Sequence, residues 1–409
     1  MVNSHARVRP SGLALTIACN ASLQLQEAVV PLPPTDEILE GNAAHWVARR
    51  YLAGYAHELP EGATFHFEGR EWKVDIDMRA GAQLYVNALG GVDPEMHIEE
   101  TLRIPRVHVI HCSGTPDGWR YYFDARLAYP HGPPEGLPAD KFHAGRLKLL
   151  RVGDYKFGHR YVEVFENPQL AAYASGVYEL LGLNEDDQDT YVELVLVQPR
   201  SFHPDGPVRV WRTPGPSLNT IIIKAGNAAR RALLSLHDAT YAPEAQTGPH
   251  CIDCTARHAC RALQLNTRRL VDFAHAPEFV ELPPQAIGQE LAIVDDALKQ
   301  LEARRTGLAA QAEIFVRDGK AVPFYGMKPG RSILTYHENV NADELVSLGD
   351  LLNIDLRRKL ERKDLVVTPS QAIQLGIDEQ VMSNYAARPK GAMKLTRDDP
   401  ITARKVFSK

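Results

Sequence analysis

The chain has 409 residues, 44% of them hydrophobic, with a formal net charge of −5 at pH 7. That length suits one large domain plus a smaller one, or two to three of average size, and the charge excludes a generally basic nucleic-acid coat while permitting a local basic groove. No stretch approaches the ~20 consecutive apolar residues of a membrane span, and no basic, apolar, cleavage-site sequence opens the chain; the expectation is a soluble cytoplasmic protein with no membrane partner.

In chain order, residues 36 to 57 read as a helix with Ile38, Gly41, His45, Ala48 and Leu52 along one inward face. Short alternating runs follow, "ATFHFEG", "EWKVDID", "MHIEETLRI" and "RVHVIHCSG", which predict hairpin strands. "SGTPDGW" then places Asp117 just past a strand end, in a Gly/Pro turn, and "YPHGPPEGLPADKFHAG" predicts an exposed loop. The strand "RLKLLRVGDYKFG" resumes the sheet. A helix begins at "ENPQLAAYASGVYELLG" with Asn167 as N-cap and Pro168 at the first helical position, so Gln169 and Tyr173 share a face. "TYVELVLVQPR" is almost continuously apolar, as a strand covered on both sides requires. With a helix around "LNTIIIKAGNAARRALLSLHD", the order implies a mixed α/β core with one parallel crossover.

Past about Arg269 the character changes. "PEFVELPPQAIG" reads as a linker, and Leu291, Val294, Leu298, Leu301 and Leu308 recur at helical spacing, predicting a long amphipathic helix or helical hairpin. The expected organisation is a domain over 1–270, a linker over 271–285 and a mostly helical region over 286–409.

Two groups of residues carry chemistry. Asp154 and Lys156 lie two apart on a strand and point to one side. If the strand near Asp117 is a neighbour, Asp117 and Asp154 converge on one hard cation, with the backbone carbonyl of Tyr155 as a further oxygen ligand and His45 as a nitrogen ligand. Lys156 beside them would orient an attacking hydroxide or stabilise phosphorane charge, which makes a phosphodiester-hydrolysing site. Gln169 and Tyr173 would hold a phosphate or nucleotide nearby. Arg146, Lys148, Arg151, Arg230, Arg231, Arg257, Arg261, Arg268 and Arg269 are candidates for contact with a nucleic-acid backbone. The second group is "PHCIDCTARHAC", where Cys251, Cys254 and Cys260 have the spacing C-x2-C-x5-C of a metal or cluster site. Cys112, inside an apolar run, reads as a small core residue.

The succession "GNAAH", "GTPD", "GDYK" and "QLAAY" resembles the PD-(D/E)xK nuclease superfamily, in particular its RecB-type branch, over roughly residues 15 to 265. The resemblance implies a restriction-endonuclease-like α/β core with a mixed sheet flanked by helices. It also implies Asp117, Asp154 and Lys156 as catalytic residues, His45, Asp117, Asp154 and Tyr155 around Mg2+ or Mn2+, Gln169 and Tyr173 as substrate-binding residues, and Glu100 in "HIEETLRI" as a candidate auxiliary acid. A subset of that branch carries one cysteine before the core and three after it, around a four-iron four-sulfur cluster. Cys19 in "TIACNASLQL" with Cys251, Cys254 and Cys260 matches that arrangement; structural Zn2+ takes the same four thiolates. With "LVQPR" and "VPFYGMKPGR", the chain is similar to a phage- and prophage-borne family of such nucleases. That implies a DNA exonuclease active in phage DNA processing or recombination in a bacterial host cytoplasm, with DNA and a phage recombination or replication protein as partners. The alternative is a catalytically silent DNA-end or single-strand binding module or recombination scaffold.

Overall fold

The computed structural model describes residues 6–30, 33–201, 203–238, 240–274, 284–329, 335–337, 340, 342–360, 363–366, 368–387 and 393–397. The chain divides into two compact units, Met1–Gly307 and Leu308–Lys409.

The first unit opens with two short helices, α1 (Leu13–Ala18) and α2 (Ser22–Glu27), and then α3 (Asp36–Leu52). Thr35 caps α3, its side chain accepting from the Ile38 N–H at 3.4 Å, and two acids, Asp36 and Glu37, occupy the first turn. The buried face of α3 is Ala43, Ala44, Val47, Ala48, Tyr51 and Leu52; Ile38 is exposed, so the inward stripe is rotated from the one the periodicity suggests. A hairpin of β1 (Thr64–Phe67) and β2 (Arg70–Lys73) leads into α4 (Ile76–Ala88), capped by Asp75, whose side chain accepts from Met78 N–H at 2.7 Å. The expected strand "EWKVDID" therefore ends at Lys73.

Next come β3 (His97–Ile98), β4 (Leu102–Arg103), β5 (Ser113–Gly114) and β6 (Gly118–Tyr122). The expected strand over "RVHVIHCSG" is instead mostly turns. The Nδ1 of His108 accepts from the N–H groups of Ile110 and His111 at 3.4 and 3.1 Å, closing a loop that leaves Val109 and Ile110 exposed. The Pro/Gly-rich insertion is not wholly exposed either. It contains α5 (Ala139–His143), and Leu137 and Phe142 pack into a small cluster with Tyr122, Leu147 and Leu149.

The core is completed by β7 (Lys148–Tyr155), α6 (Pro168–Leu181), β8 (Thr190–Val197), β9 (Val208–Pro214) and α7 (Asn219–His237). The main sheet has five strands in the order β3-β6-β7-β8-β9. The β7–β8 pair is parallel, with α6 as the crossover, and the other pairings are antiparallel. Side-chain alternation divides the sheet's faces. Leu150, Val152, Val192, Leu194 and Leu196 pack with α6 and α7, whereas Tyr155, Val195 and Val197 pack with α3 and α4. The mixed α/β architecture expected from the sequence is thus present. The unit continues with α8 (Arg261–Ala274) and ends within α9 (Pro284–Arg317), and most of the expected 271–285 linker lies outside the described residues.

The 34-residue α9 is a single helix through the region expected to hold a helix or hairpin, and Leu291, Val294, Leu298 and Leu308 on it are exposed. The second unit holds the short strands β10 (Tyr325–Pro329) and β11 (Thr335–Tyr336), then α10 (Ala342–Leu351), β12 (Arg357–Leu360) and β13 (Lys363–Val366). After them come α11 (Pro369–Gln374), α12 (Glu379–Met382), β14 (Ala386–Ala387) and β15 (Met393–Arg397). Its strands pair as β10–β15, β11–β14 and β12–β13, all antiparallel. A small core of Leu356, Ala372, Ile377, Met382 and Ala386 holds the helices. Among the described residues, no helix is long and apolar enough to cross a membrane.

Candidate metal and cysteine centres

The first centre forms at the C-terminal end of β7. The β6–β7 register pairs Gly118 with Gly153, and carried one residue further it sets Asp117 opposite Asp154. Asp117 therefore stands three residues past the two-residue β5 and immediately before β6. The glycine pair is needed for close packing. A Cβ on Gly153 would lie 2.7 Å from Leu89 Cδ2 and 3.0 Å from the Tyr85 hydroxyl, and one on Gly118 would lie 2.9 Å from Leu52 Cδ2. The acids are thus carried on backbone that α3 and α4 press against directly.

Asp154 lies on the side of β7 that faces α6, and its carboxylate is buried. Its Oδ1 accepts from Gln169 Nε2 at 2.8 Å and from Lys156 Nζ at 3.2 Å. Its Oδ2 has no well-directed hydrogen bond among the described residues; the Lys156 ammonium stands 3.0 Å from it. Asp117 Oδ2 accepts from the Tyr155 backbone N–H at 2.7 Å and lies 3.5 Å from His45 Nδ1. Tyr155 itself points to the opposite face and meets the His45 ring edge-on, with centroids 5.3 Å apart. Tyr173 is buried behind Gln169, whose Nε2 lies 3.4 Å from the tyrosine hydroxyl.

Electrostatics separates the two acids. Burial pushes the Asp154 carboxyl above its ordinary range, and the neighbouring Asp117 charge adds to this against the pull of Lys156. Burial acts the same way on Asp117, but the charge and hydrogen bond of His45, with Lys156 and the Tyr155 N–H, outweigh it and hold that carboxyl low. His45 is raised because Asp117 overcomes the desolvation that would lower it. Lys156 is likewise raised, since Asp154 and Asp117 overcome its burial, and it is an ammonium at neutral pH. Two acids of which one resists ionisation, with a buried carboxylate oxygen short of donors, fit a site completed by a cation.

Beyond His45 a cleft opens, lined by Asn42, Trp46, Arg49, Phe67, Glu68 and Glu99. Glu99 pairs with Arg49, whereas Glu100, the acid singled out from the sequence, pairs with His97 at 2.7 Å. The sequence reading missed Glu99, Trp46 and Tyr85, whose hydroxyl is buried beneath the Gly118–Gly153 pair. Of the basic candidates, Arg151 is not available to a ligand: it is buried and bound to Glu193 and the Leu89 carbonyl. Lys148 pairs with Asp187 at 2.9 Å, and Arg257 donates to the Ile252 and Cys254 carbonyls. Arg146, Arg230, Arg231, Arg261, Arg268 and Arg269 are exposed.

The second centre is built from thiols. Cys19, at the end of α1, and Cys251, Cys254 and Cys260 are all free and buried, and all four line one small cavity of about 20 Å³. The spacing of the last three is visible in the sequence; the approach of Cys19 depends on α1 and α2 packing against α7 and the cysteine loop. Gln26 on α2 accepts from the Thr255 N–H and hydroxyl at 3.4 and 3.1 Å, fastening the two segments. Gly248 N–H points at Cys251 Sγ at 3.5 Å. Burial pushes the Cys251 thiol up and the Cys254 thiol to about 11, each raised further by its neighbouring cysteines. Among the described residues no three His, Cys, Asp or Glu side chains already close on a point in metal-ligating geometry; the four thiols surround a space. Four buried sulfurs around a cavity fit a thiolate-ligated cluster or ion, which would deprotonate them on binding. Cys112 is apart from them, buried in the core with its thiol pushed up to about 12 by burial.

The chain belongs to the family described as "Protein of unknown function (DUF2800)", which matches residues 145–398, more than half of its length. The matched segment contains Asp154, Lys156, Gln169, Tyr173 and the three clustered cysteines, and begins after His45 and Asp117. No curated protein matches the chain.

Proposed function

We propose that this protein is a divalent-metal-dependent deoxyribonuclease of the RecB-type PD-(D/E)xK branch, degrading DNA from its ends during phage DNA processing or recombination in a bacterial cytoplasm. The observation that carries this reading is that Asp117 and Asp154 each adjoin the paired Gly118 and Gly153 of β6 and β7, with Lys156 beside a buried carboxylate oxygen short of donors. Asp117, Asp154, His45 and the Tyr155 carbonyl would hold Mg2+ or Mn2+, which when bound polarises a phosphate and lowers the pKa of water. Lys156, charged at neutral pH, is unsuited to accept a proton and instead stabilises negative charge on phosphate oxygens. Gln169 fixes the rotamer of Asp154 by its 2.8 Å hydrogen bond, and Tyr173 stands behind Gln169. Trp46, stacked on Phe65, and Phe67 line the cleft beside His45 and give it an aromatic wall against which a base could pack. Cys19, Cys251, Cys254 and Cys260 would hold a four-iron four-sulfur cluster, which joins the start of the unit to a segment more than 200 residues later.

The test is degradation of linear and circular DNA, single- and double-stranded, with Mg2+, Mn2+ or a chelator. The expected result is metal-dependent loss of linear DNA with circles spared. Absence of cleavage in every combination would overturn the proposal. For the cysteines, the purified protein should be brown and contain iron and sulfide; a colourless protein with stoichiometric zinc would replace the cluster by a zinc site.

A further inference from the structure

Two groups bond to Asp154, and they sit at opposite ends of one loop. Lys156 directly follows β7, residues 157–166 come next, and Asn167 caps α6 by accepting from the Gln169 and Leu170 N–H groups at 3.0 and 3.2 Å. Lys156, the loop, Gln169 and Asp154 therefore form a closed ring, and the loop's conformation sets where the ammonium and the amide meet the carboxylate. The loop lacks regular secondary structure, so something must hold its middle.

The middle is held by Gln198, at the end of β8, which is 1% exposed. Its Nε2 donates to the carbonyls of Gly158 and Arg160 at 2.8 and 2.6 Å. Its Oε1 accepts from the Val162 N–H at 3.3 Å and from Arg209 Nη2 at 2.6 Å. One buried side-chain amide thus engages three loop residues in alternation, as a strand's backbone would. Arg209, itself buried, stacks over Tyr161 of the same loop at 4.4 Å. The loop has other tethers: Phe157 and Val164 are buried on either side of its middle, the His159 Nδ1 lies 3.2 Å from the Arg200 carbonyl, Tyr161 packs on the His203 ring, and Arg160 pairs with Asp253 of the cysteine loop, both of those last side chains being largely exposed. Exposed pairs contribute little, whereas a buried amide with its bonds broken leaves several backbone groups unsatisfied. Gln198 is a buried polar side chain that bonds the loop's backbone at three positions, Gly158, Arg160 and Val162.

We propose that Gln198 is a positioning residue for the acid–lysine site, acting through loop 157–166 on Lys156 and Gln169. The proposal rests on the nuclease reading for its catalytic consequence, and on the hydrogen bonds alone for its structural one. The test is Gln198→Met, which keeps the volume and removes every bond, beside Arg160→Ala, which removes the exposed tether. In Gln198→Met, kcat measured well below the unfolding temperature should fall about 100-fold, the scale of a small misplacement of reacting groups, with KM for DNA unchanged. Amide exchange at residues 157–169 should accelerate while β7 and β8 stay protected, and Arg160→Ala should stay within about twofold of wild type in both readouts. A variant that unfolds at lower temperature yet keeps the wild-type kcat would make Gln198 merely structural and overturn the proposal. If the wild-type chain cleaves no DNA, the nuclease reading fails separately; faster exchange at 157–169 then still supports the positioning role, and unchanged exchange overturns it.

Discussion

The strand β7 carries two buried ionic clusters three residues apart, on opposite faces of the sheet, and they are finished differently. Arg151 donates to Glu193 and to the Leu89 carbonyl at 2.9 Å. The second oxygen of Glu193 accepts from Arg212 Nε at 2.7 Å and from the Tyr129 hydroxyl. Arg212 in turn donates to the Glu135 carbonyl at 3.1 Å, so the network closes on the Pro/Gly-rich insertion and anchors it. Both Glu193 oxygens are engaged, and the carboxyl is held below its usual range: burial would raise it, but Arg151 and Arg212 outweigh that. At Asp154 the balance is reversed, with burial raising the carboxyl and one oxygen short of donors. A buried charge whose partners are complete stabilises a fold, whereas one left incomplete is a place for a ligand.

That contrast can be broken most sharply by exchanging the roles. Asp154→Asn should lower DNA cleavage about a thousandfold while Tm stays level or rises, since it removes a carboxylate the fold disfavours. Glu193→Gln should do the opposite, costing about 3–5 kcal/mol of stability by leaving the buried Arg151 guanidinium, and the half-buried one of Arg212, short of a counter-charge, with kcat of the folded protein retained. Denaturant unfolding beside a cleavage assay reads both; loss of activity in both variants at equal stability would erase the distinction.

The pH dependence sharpens the same point. Because Glu193 is lowered in the folded state, its contribution is complete above the ordinary glutamate value of about 4.3 and is lost as pH falls through the lowered value. The stability gap between wild type and Glu193→Gln should therefore be constant at neutral pH and shrink in acid. A gap that stays constant down to strongly acidic pH would show that the ion pair is not its source.

Smaller effects separate the cysteines. Cys254→Ser should remove stoichiometric metal and the visible absorbance and lower Tm, whereas Cys112→Ala should keep both metal and colour and cost about 1 kcal/mol, as for a small core side chain. Metal analysis and unfolding of the two variants check this, and retention of full metal by Cys254→Ser would remove that residue from the ligand set.

The residues that carry the first centre are legible because they obey local rules. Asp154 and Lys156 share a side by strand alternation, and Asn167-Pro168 announces the helix that brings Gln169 to Asp154. What the sequence concealed depends on contacts distant along the chain. The helix α4 was hidden because "EWKVDID" alternates like a strand, although Asp75 three residues before Met78 is a capping signal. "RVHVIHCSG" alternates as well, but the His108 side chain takes the N–H groups a strand would have paired. Arg151 looked like a phosphate ligand because nothing local reveals Glu193 on the neighbouring strand. Gln198 was legible only as part of "LVQPR", and its role follows from a loop some 40 residues earlier.

The most direct measurement is calorimetric titration with Mn2+ of the wild-type chain, Asp154→Asn and Lys156→Ala, each also assayed for DNA cleavage. The account predicts Mn2+ binding by the wild type, its loss in Asp154→Asn, and its retention in Lys156→Ala although that variant cleaves nothing. Equal Mn2+ binding by the wild type and Asp154→Asn would contradict it.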